Sequence, residues 1–144
     1  MIHNISYRVF VYGTENEEKV RVAIKTLFPN SLPEKDINQG YYGNNVLILH
    51  EKIDKKIYIK DFIKKFQTLD ADVKNQIIKD LNKKIDNKGN LFLRFGKQEA
   101  YLGNFSVVEH GDSIHLKIKI AAYPAKKDKA IQIVKEMLGG KNVL

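Results

Sequence analysis

Apolar and polar residues alternate along ISYRVFVY, residues 5–12, with the period of two that marks a half-buried strand. One side carries Tyr7, Val9 and Val11; the other carries Arg8, Phe10 and Tyr12. Gly13 ends the run. Thr14 and Glu17 then stand at capping-box spacing, and Val20, Ala23, Ile24 and Leu27 form the stripe of a helix reaching about Phe28. The stretch PNSLPEKDINQGYYGNN loses both periods, and its prolines, glycines and asparagines predict a long connection. A strand follows over 46–53. Helical spacing returns over 57–68, with Ile59, Phe62, Ile63 and Phe66 on one side. Asp70 is placed to cap one further helix, whose Val73, Ile77, Leu81 and Ile85 recur every four residues until DNKGN stops it. Residues 90–95 alternate as a strand, and KQEAYLG (97–103) is either one helical turn or a tight crossing. Residues 105–109 read as a short strand, HGD (110–112) as a hairpin turn, and 113–123 as a long strand ended by Pro124. Residues 126–138 complete the chain's helices, with Ile131, Val134 and Leu138 inward.

This pattern predicts an α+β fold: one two-layer domain over residues 1–144, a mostly antiparallel sheet of about five strands and about four helices on one face. Residues 134–144 are expected to be partly a flexible tail. With the aliphatic sides of the strands packed on the helices, the other face presents Arg8, Phe10, Tyr12, Phe92, Arg94, His115, Lys117 and Lys119. Cations pair with phosphates, and flat rings accept unstacked bases. An ordinary solvated sheet face also alternates polar residues, and lysine there discourages edge pairing. Both readings of the face stand at this point.

Charge sharpens the choice. Lysine and arginine exceed the acids by 8, and the sequence pI is near 9.5, so the field favours polyanions. The chain has no cysteine, which excludes disulfides and thiolate metal sites. The opening MIHNISYRVF lacks the apolar run of a signal peptide, and no stretch approaches the roughly 20 apolar residues that span a bilayer. A cytoplasmic protein without membrane contact is the expectation.

Signatures of chemistry are lacking. His50-Glu51 has no second histidine four residues on, so it is not a zinc helix; Gly89 and Gly96 are wrongly spaced for a phosphate loop, and Gln98 replaces its Ser or Thr. No nucleophile elbow or dinucleotide fingerprint occurs. The expectation is a non-enzymatic protein with no cofactor and no metal. In GYYGNN the tyrosines either lie back on the core or are held out for a ligand.

Three segments, YRVFVYGTENEEKV (7–20), GYYGNNVLIL (40–49) and RFGKQEAYLGNFSV (94–107), together resemble an archaeal RNA-binding family often labelled predicted exosome subunit. The likeness covers residues 5 to about 122. Gly40, Gly43 and Asn44 match its G-x-x-G-N turn, and Lys97, Gln98, Ala100, Tyr101, Leu102 and Gly103 match its K-Q-x-A-Y-L-G. The family often has histidines between those glycines and a proline after the asparagine; here Tyr41, Tyr42 and Asn45 stand instead. The resemblance implies a ribosomal protein L5-like fold, binding to structured RNA and work in archaeal RNA processing or degradation, with the exosome or other RNA-processing proteins as partners. If the two glycine motifs meet, Tyr41 or Tyr42 would stack on bases, Asn44 and Gln98 would bond base edges or 2′-hydroxyls, and Arg94 and Lys97 would hold phosphates. Arg8, Tyr12, Lys117 and Lys119 complete the candidate RNA surface. The alternative is a protein–protein adaptor that docks on an RNA-processing complex.

Overall fold

Alternation from Ile2 to Val11 builds the strand on which the rest of the fold is laid. A computed structural model describes residues 1–39 and 45–139. The elements are β1 (Ile2–Val11), α1 (Glu17–Leu27), β2 (Glu34–Gln39), β3 (Asn45–Ile53), α2 (Lys56–Gln67), α3 (Ala71–Ile78), α4 (Leu81–Lys84), β4 (Asn90–Gly96), α5 (Lys97–Tyr101), β5 (Ser113–Ile120) and α6 (Lys127–Gly139). The strands form one five-stranded sheet in the order β2-β3-β1-β5-β4, and every neighbouring pair is antiparallel. The result is a single α+β domain.

One face of the sheet is apolar. Ile5, Tyr7, Val9 and Val11 of β1 join Leu49, Leu91, Leu93, Phe95, Ile114, Leu116 and Ile118 in the core. The helices bring Ile24 and Leu27 from α1, Phe62 and Phe66 from α2, Ile77 from α3 and Val134 and Leu138 from α6. Tyr7, Phe28, Phe62 and Phe66 stack in a chain with successive ring centroids 5.3 Å apart. Each such side chain contributes about 1.5–3 kcal/mol on burial, which fixes the strand register, since a one-residue slip would send the whole set to water.

Several details differ from the sequence expectation. The cap of α1 is Asn16, not Thr14: its Oδ1 accepts from the amides of Glu18 and Lys19 at 2.9 and 3.2 Å. Part of the expected long connection is β2. It is an edge strand, its Glu34 to Asn38 side chains are exposed, and so it carries no apolar alternation. Asp70 makes no side-chain cap bond, and the expected single helix is α3 and α4, broken where Asp80 takes a left-handed φ of 58°. The ammonium of Lys84 holds the carbonyls freed by that break, donating to Gln76 O at 2.7 Å and Lys79 O at 2.8 Å. KQEAYLG is helical at its start, as α5.

Residues 105–109 form a single antiparallel bridge rather than a full strand. They lie on the outer edge of β4 through Gly96 N to Ser106 O, Val108 N to Arg94 O and a bridge between Phe95 and Val107. HGD is therefore no hairpin; it carries the chain from one side of β4 to β5 on the other, with Gly111 at φ 93°. Residues 134–139, expected to begin a flexible tail, are the last turns of α6 and bury Val134, Met137 and Leu138. Residues 140–144 lie outside the described residues.

Candidate functional site

Strand register places one row of side chains across all five strands on the face away from the helices. In order these are Glu34, His50, Arg8, His115 and Arg94. The next row on one side is Lys52, Ser6, Lys117 and Phe92. Beyond it come Asn4, Lys119 and Asn90. On the other side lie Asp36, Ile48 and Phe10.

The face is electrically polarised. At the β2 end Asp36 pairs with His50 at 2.8 Å, next to Glu34. Toward β4 the cations Arg8, Arg94, Lys117, Lys83 and Lys84 outnumber the carboxylates, which are Glu109 beside Lys84 and Asp86 within the field of Lys117. Among the described residues no carboxylate lies within ion-pair distance of Arg8, Arg94 or Lys117. His115 sits between the two arginines. Burial, then the charges of Arg94 and Arg8, hold its pKa below the ordinary 6.5, against a smaller opposing pull from Asp112. The imidazole is therefore neutral near pH 7, and the positive field at this point comes from the arginines.

Rings lie among these cations. The Arg8 guanidinium is 5.5 Å from the Phe10 ring centroid, and Phe10 also meets Tyr12 and the edge of His115. Phe92 is 46% exposed. Over β1, β5 and β4 the face is concave. A groove of about 570 Å³ has Ser6, Arg8, Phe92, Arg94, His115 and Lys117 as its floor, with Lys83 and Lys84 of α4 and residues 107–109 beside them. Bonds among those flanking groups fix it: Gln76 Nε2 donates to Val107 O at 3.0 Å, and Lys84 lies 3.9 Å from Glu109. The volume falls in the range of ordinary small-ligand sites.

Of the residues expected at an RNA surface, Arg8, Arg94 and Lys117 come together in this groove. Lys119 shares the face two residues along β5, and its ammonium donates to the carbonyl of Lys88. Tyr12 is exposed just past the end of β1, against Phe10. Tyr41, Tyr42 and Asn44 lie outside the described residues. Lys97 departs from the expectation of a free phosphate-holding cation. It is 8% exposed, and its Nζ donates to Phe10 O at 2.7 Å, to Glu15 at 3.0 and 3.1 Å and to Asp112 at 2.8 Å. Its charge is neutralised within the chain. Gln98 is exposed on α5 but borders a different depression, with Lys97, Tyr101 and Lys19, so the KQ pair and Arg94 do not share one groove. The segments flanking the groove at Lys83 and residues 107–109 had no signal in the sequence; Phe92 and His115 had one, through alternation.

Among the described residues no group of three His, Cys, Asp or Glu side chains is placed to hold a metal, and no helix is long and apolar enough to cross a membrane.

A family model described as RNA binding matches residues 4–120. An RNA-binding protein of Pyrococcus abyssi is 35% identical over 147 aligned positions, spanning 97% of this chain and 96% of its own. Among solved structures, a DUF54 protein from Methanothermobacter thermautotrophicus has a TM-score of 0.86 and 43% identity, covering 96% of this chain and 98% of its own. A DUF54 protein from Archaeoglobus fulgidus gives 0.83 and 34%, covering 95% and 99%.

Proposed function

Because the chain belongs to this archaeal RNA-binding family, we propose that it binds RNA through the basic half of its open sheet face, without catalysing a reaction. The observation that carries this is the placement of Arg8, Arg94 and Lys117, free of carboxylate partners among the described residues, on one concave surface with Phe92. Guanidinium and ammonium groups hold phosphates, and they position an RNA without reading its sequence. The acidic β2 end, with Glu34 and Asp36, repels the same backbone and orients it toward β4. The RNA we favour is structured, in line with the L5-like fold that the resemblance implies. Its setting would be RNA processing or degradation in the cytoplasm, with the exosome or another processing complex nearby.

The test is fluorescence anisotropy with a labelled hairpin RNA across a salt series. Alanine at Arg8, Arg94 and Lys117 together should weaken binding. It should also flatten the dependence of log affinity on log salt, by about 0.7–0.9 for each phosphate the variant no longer neutralises. An unchanged slope in a folded triple variant would remove the face from RNA binding.

A second reading, a protein–protein adaptor, is favoured by one observation. Val22 of α1 and Leu32 are exposed apolar side chains bordering a depression with Pro33, lined also by Glu18, Arg21 and Lys25 and sharing no residue with the basic groove. That reading predicts association with a protein partner that salt leaves unchanged.

A further inference from the structure

We propose that the groove over β1, β5 and β4 takes one unpaired nucleotide, its phosphate held between Arg8 and Arg94 and its base laid on Phe92. This rests on the reading that the open face binds RNA, and it names the part of the RNA that enters.

Three features of the groove point this way. First, the two arginines flank His115 from the strands on either side, about 10 Å apart at the backbone. At that spacing their long side chains can reach a single anion above β5, Arg8 leaving its place over Phe10 to do so. The imidazole of His115 lies between them and, in either protonation state, carries an N–H that can donate to the same anion. Second, Phe92 stands two residues from Arg94 on the same strand and face, about 7 Å away. That is a separation one ribose bridges between a phosphate and its base. Phe92 is also the open ring of the set, since Phe10 is already covered by Arg8, Tyr12 and His115. Third, the site is a depression with α4 and residues 107–109 along it. An uninterrupted RNA helix presents a convex surface of phosphates and 2′-hydroxyls with its bases stacked inside, so it has nothing to lay on Phe92. A bulged or looped-out nucleotide in a structured RNA has a free base face. Val108, opposite Arg94 across the outer edge of β4, adds half-buried apolar surface to the groove, whereas Val107 points into the core.

The experiment compares three labelled RNAs by anisotropy with the full chain: an unbroken hairpin whose fully paired stem is closed by a non-nucleotide linker, the same hairpin with a single-nucleotide bulge, and a single strand of the same composition. The variants are Phe92→Ala, Phe92→Leu, Phe92→Tyr and Arg8→Ala/Arg94→Ala, each checked for folding by circular dichroism. The expected result is tighter binding to the bulged hairpin and the single strand than to the unbroken one. Phe92→Ala should cost about 5- to 150-fold on those two RNAs, the range for removing one stacked base, and little on the unbroken hairpin. Phe92→Leu keeps the apolar bulk without a flat face and should behave like Phe92→Ala, whereas Phe92→Tyr should keep the preference. Equal affinity for all three RNAs, or indifference to Phe92→Ala, overturns the inference; if the double arginine variant still weakens every RNA, the reading of the face survives it. No binding of any RNA at low salt overturns both.

Discussion

Replacing Lys97 by Met separates a structural cation from an RNA-binding one. Methionine keeps an unbranched apolar stem and removes only the charge. The ammonium donates to Phe10 O and to the carboxylates of Glu15 and Asp112, and it stands 5.4 Å from the Tyr12 ring. It thereby ties the end of β1, the turn before α1, the start of α5 and the turn before β5 at one point. A hydrogen bond to a charged group contributes about 1.5–3 kcal/mol net, and breaking a buried pair from one side costs about 3–5. Glu15 and Asp112 keep 26% and 43% of their side-chain surface in solvent, so both rehydrate once the lysine is gone. The cost therefore falls at the low end, about 3 kcal/mol. For a domain of this size that lowers Tm by roughly 10 °C. Urea unfolding followed by far-UV circular dichroism measures it, with an unchanged m-value showing that the denatured state is not altered. RNA affinity below the transition should stay within about twofold, because the charge faces inward. A loss of stability under about 1 kcal/mol, together with a flattened salt dependence of RNA binding, would refute the argument. Lys97 would then be the phosphate ligand that its place in KQEAYLG suggests.

Other outcomes follow from single interactions. Because burial and the two arginines hold His115 below its ordinary 6.5, the unfolded chain takes up this proton first as pH falls. Its stabilising contribution is complete well above pH 6.5 and declines as pH falls below it, so His115→Gln should flatten the loss of stability on the acid side of pH 6.5 in urea titrations. A phosphate between Arg8 and Arg94 favours the imidazolium, so RNA affinity should rise as pH is lowered over the same window, and His115→Gln should abolish the rise. Asn16→Ala removes the cap of α1 and should cost about 1 kcal/mol, read as a shift of the urea midpoint without any change in RNA binding. Lys84→Met strips the carbonyls at the break between α3 and α4 of their donor; proteolysis within residues 79–84 should speed up, and RNA affinity should fall as the wall of the groove loosens.

What the sequence made legible, and what it left hidden, follows from the range of each signal. Period two is local, and a strand with one wet face must show it. Arg8, Phe92, Arg94, His115 and Lys117 could therefore be assigned to one face before any pairing was known. β2 escaped because an edge strand with both faces open has no apolar period; only its pairing with β3 makes it a strand. The break at Asp80 escaped because Val73, Ile77, Leu81 and Ile85 keep helical spacing across it, and the cation that makes the break tolerable sits four residues further on.

Lys97 and the segments flanking the groove lay beyond reach for a different reason. Whether a lysine is a ligand or a tie depends on which carboxylates fold against it, and Glu15 and Asp112 are 82 and 15 residues away in sequence. No spacing rule spans that separation. The groove has the same origin. Alternation yields a flat face, and a flat face of cations and rings is equally an ordinary wet surface. It becomes a depression because residues 105–108 are tied along the outer edge of β4, and because Gln76 and Lys84 bind α3 and α4 to residues 107 and 109. Concavity is thus a property of the packing, and it is concavity that favours a single extruded nucleotide over the side of an RNA helix.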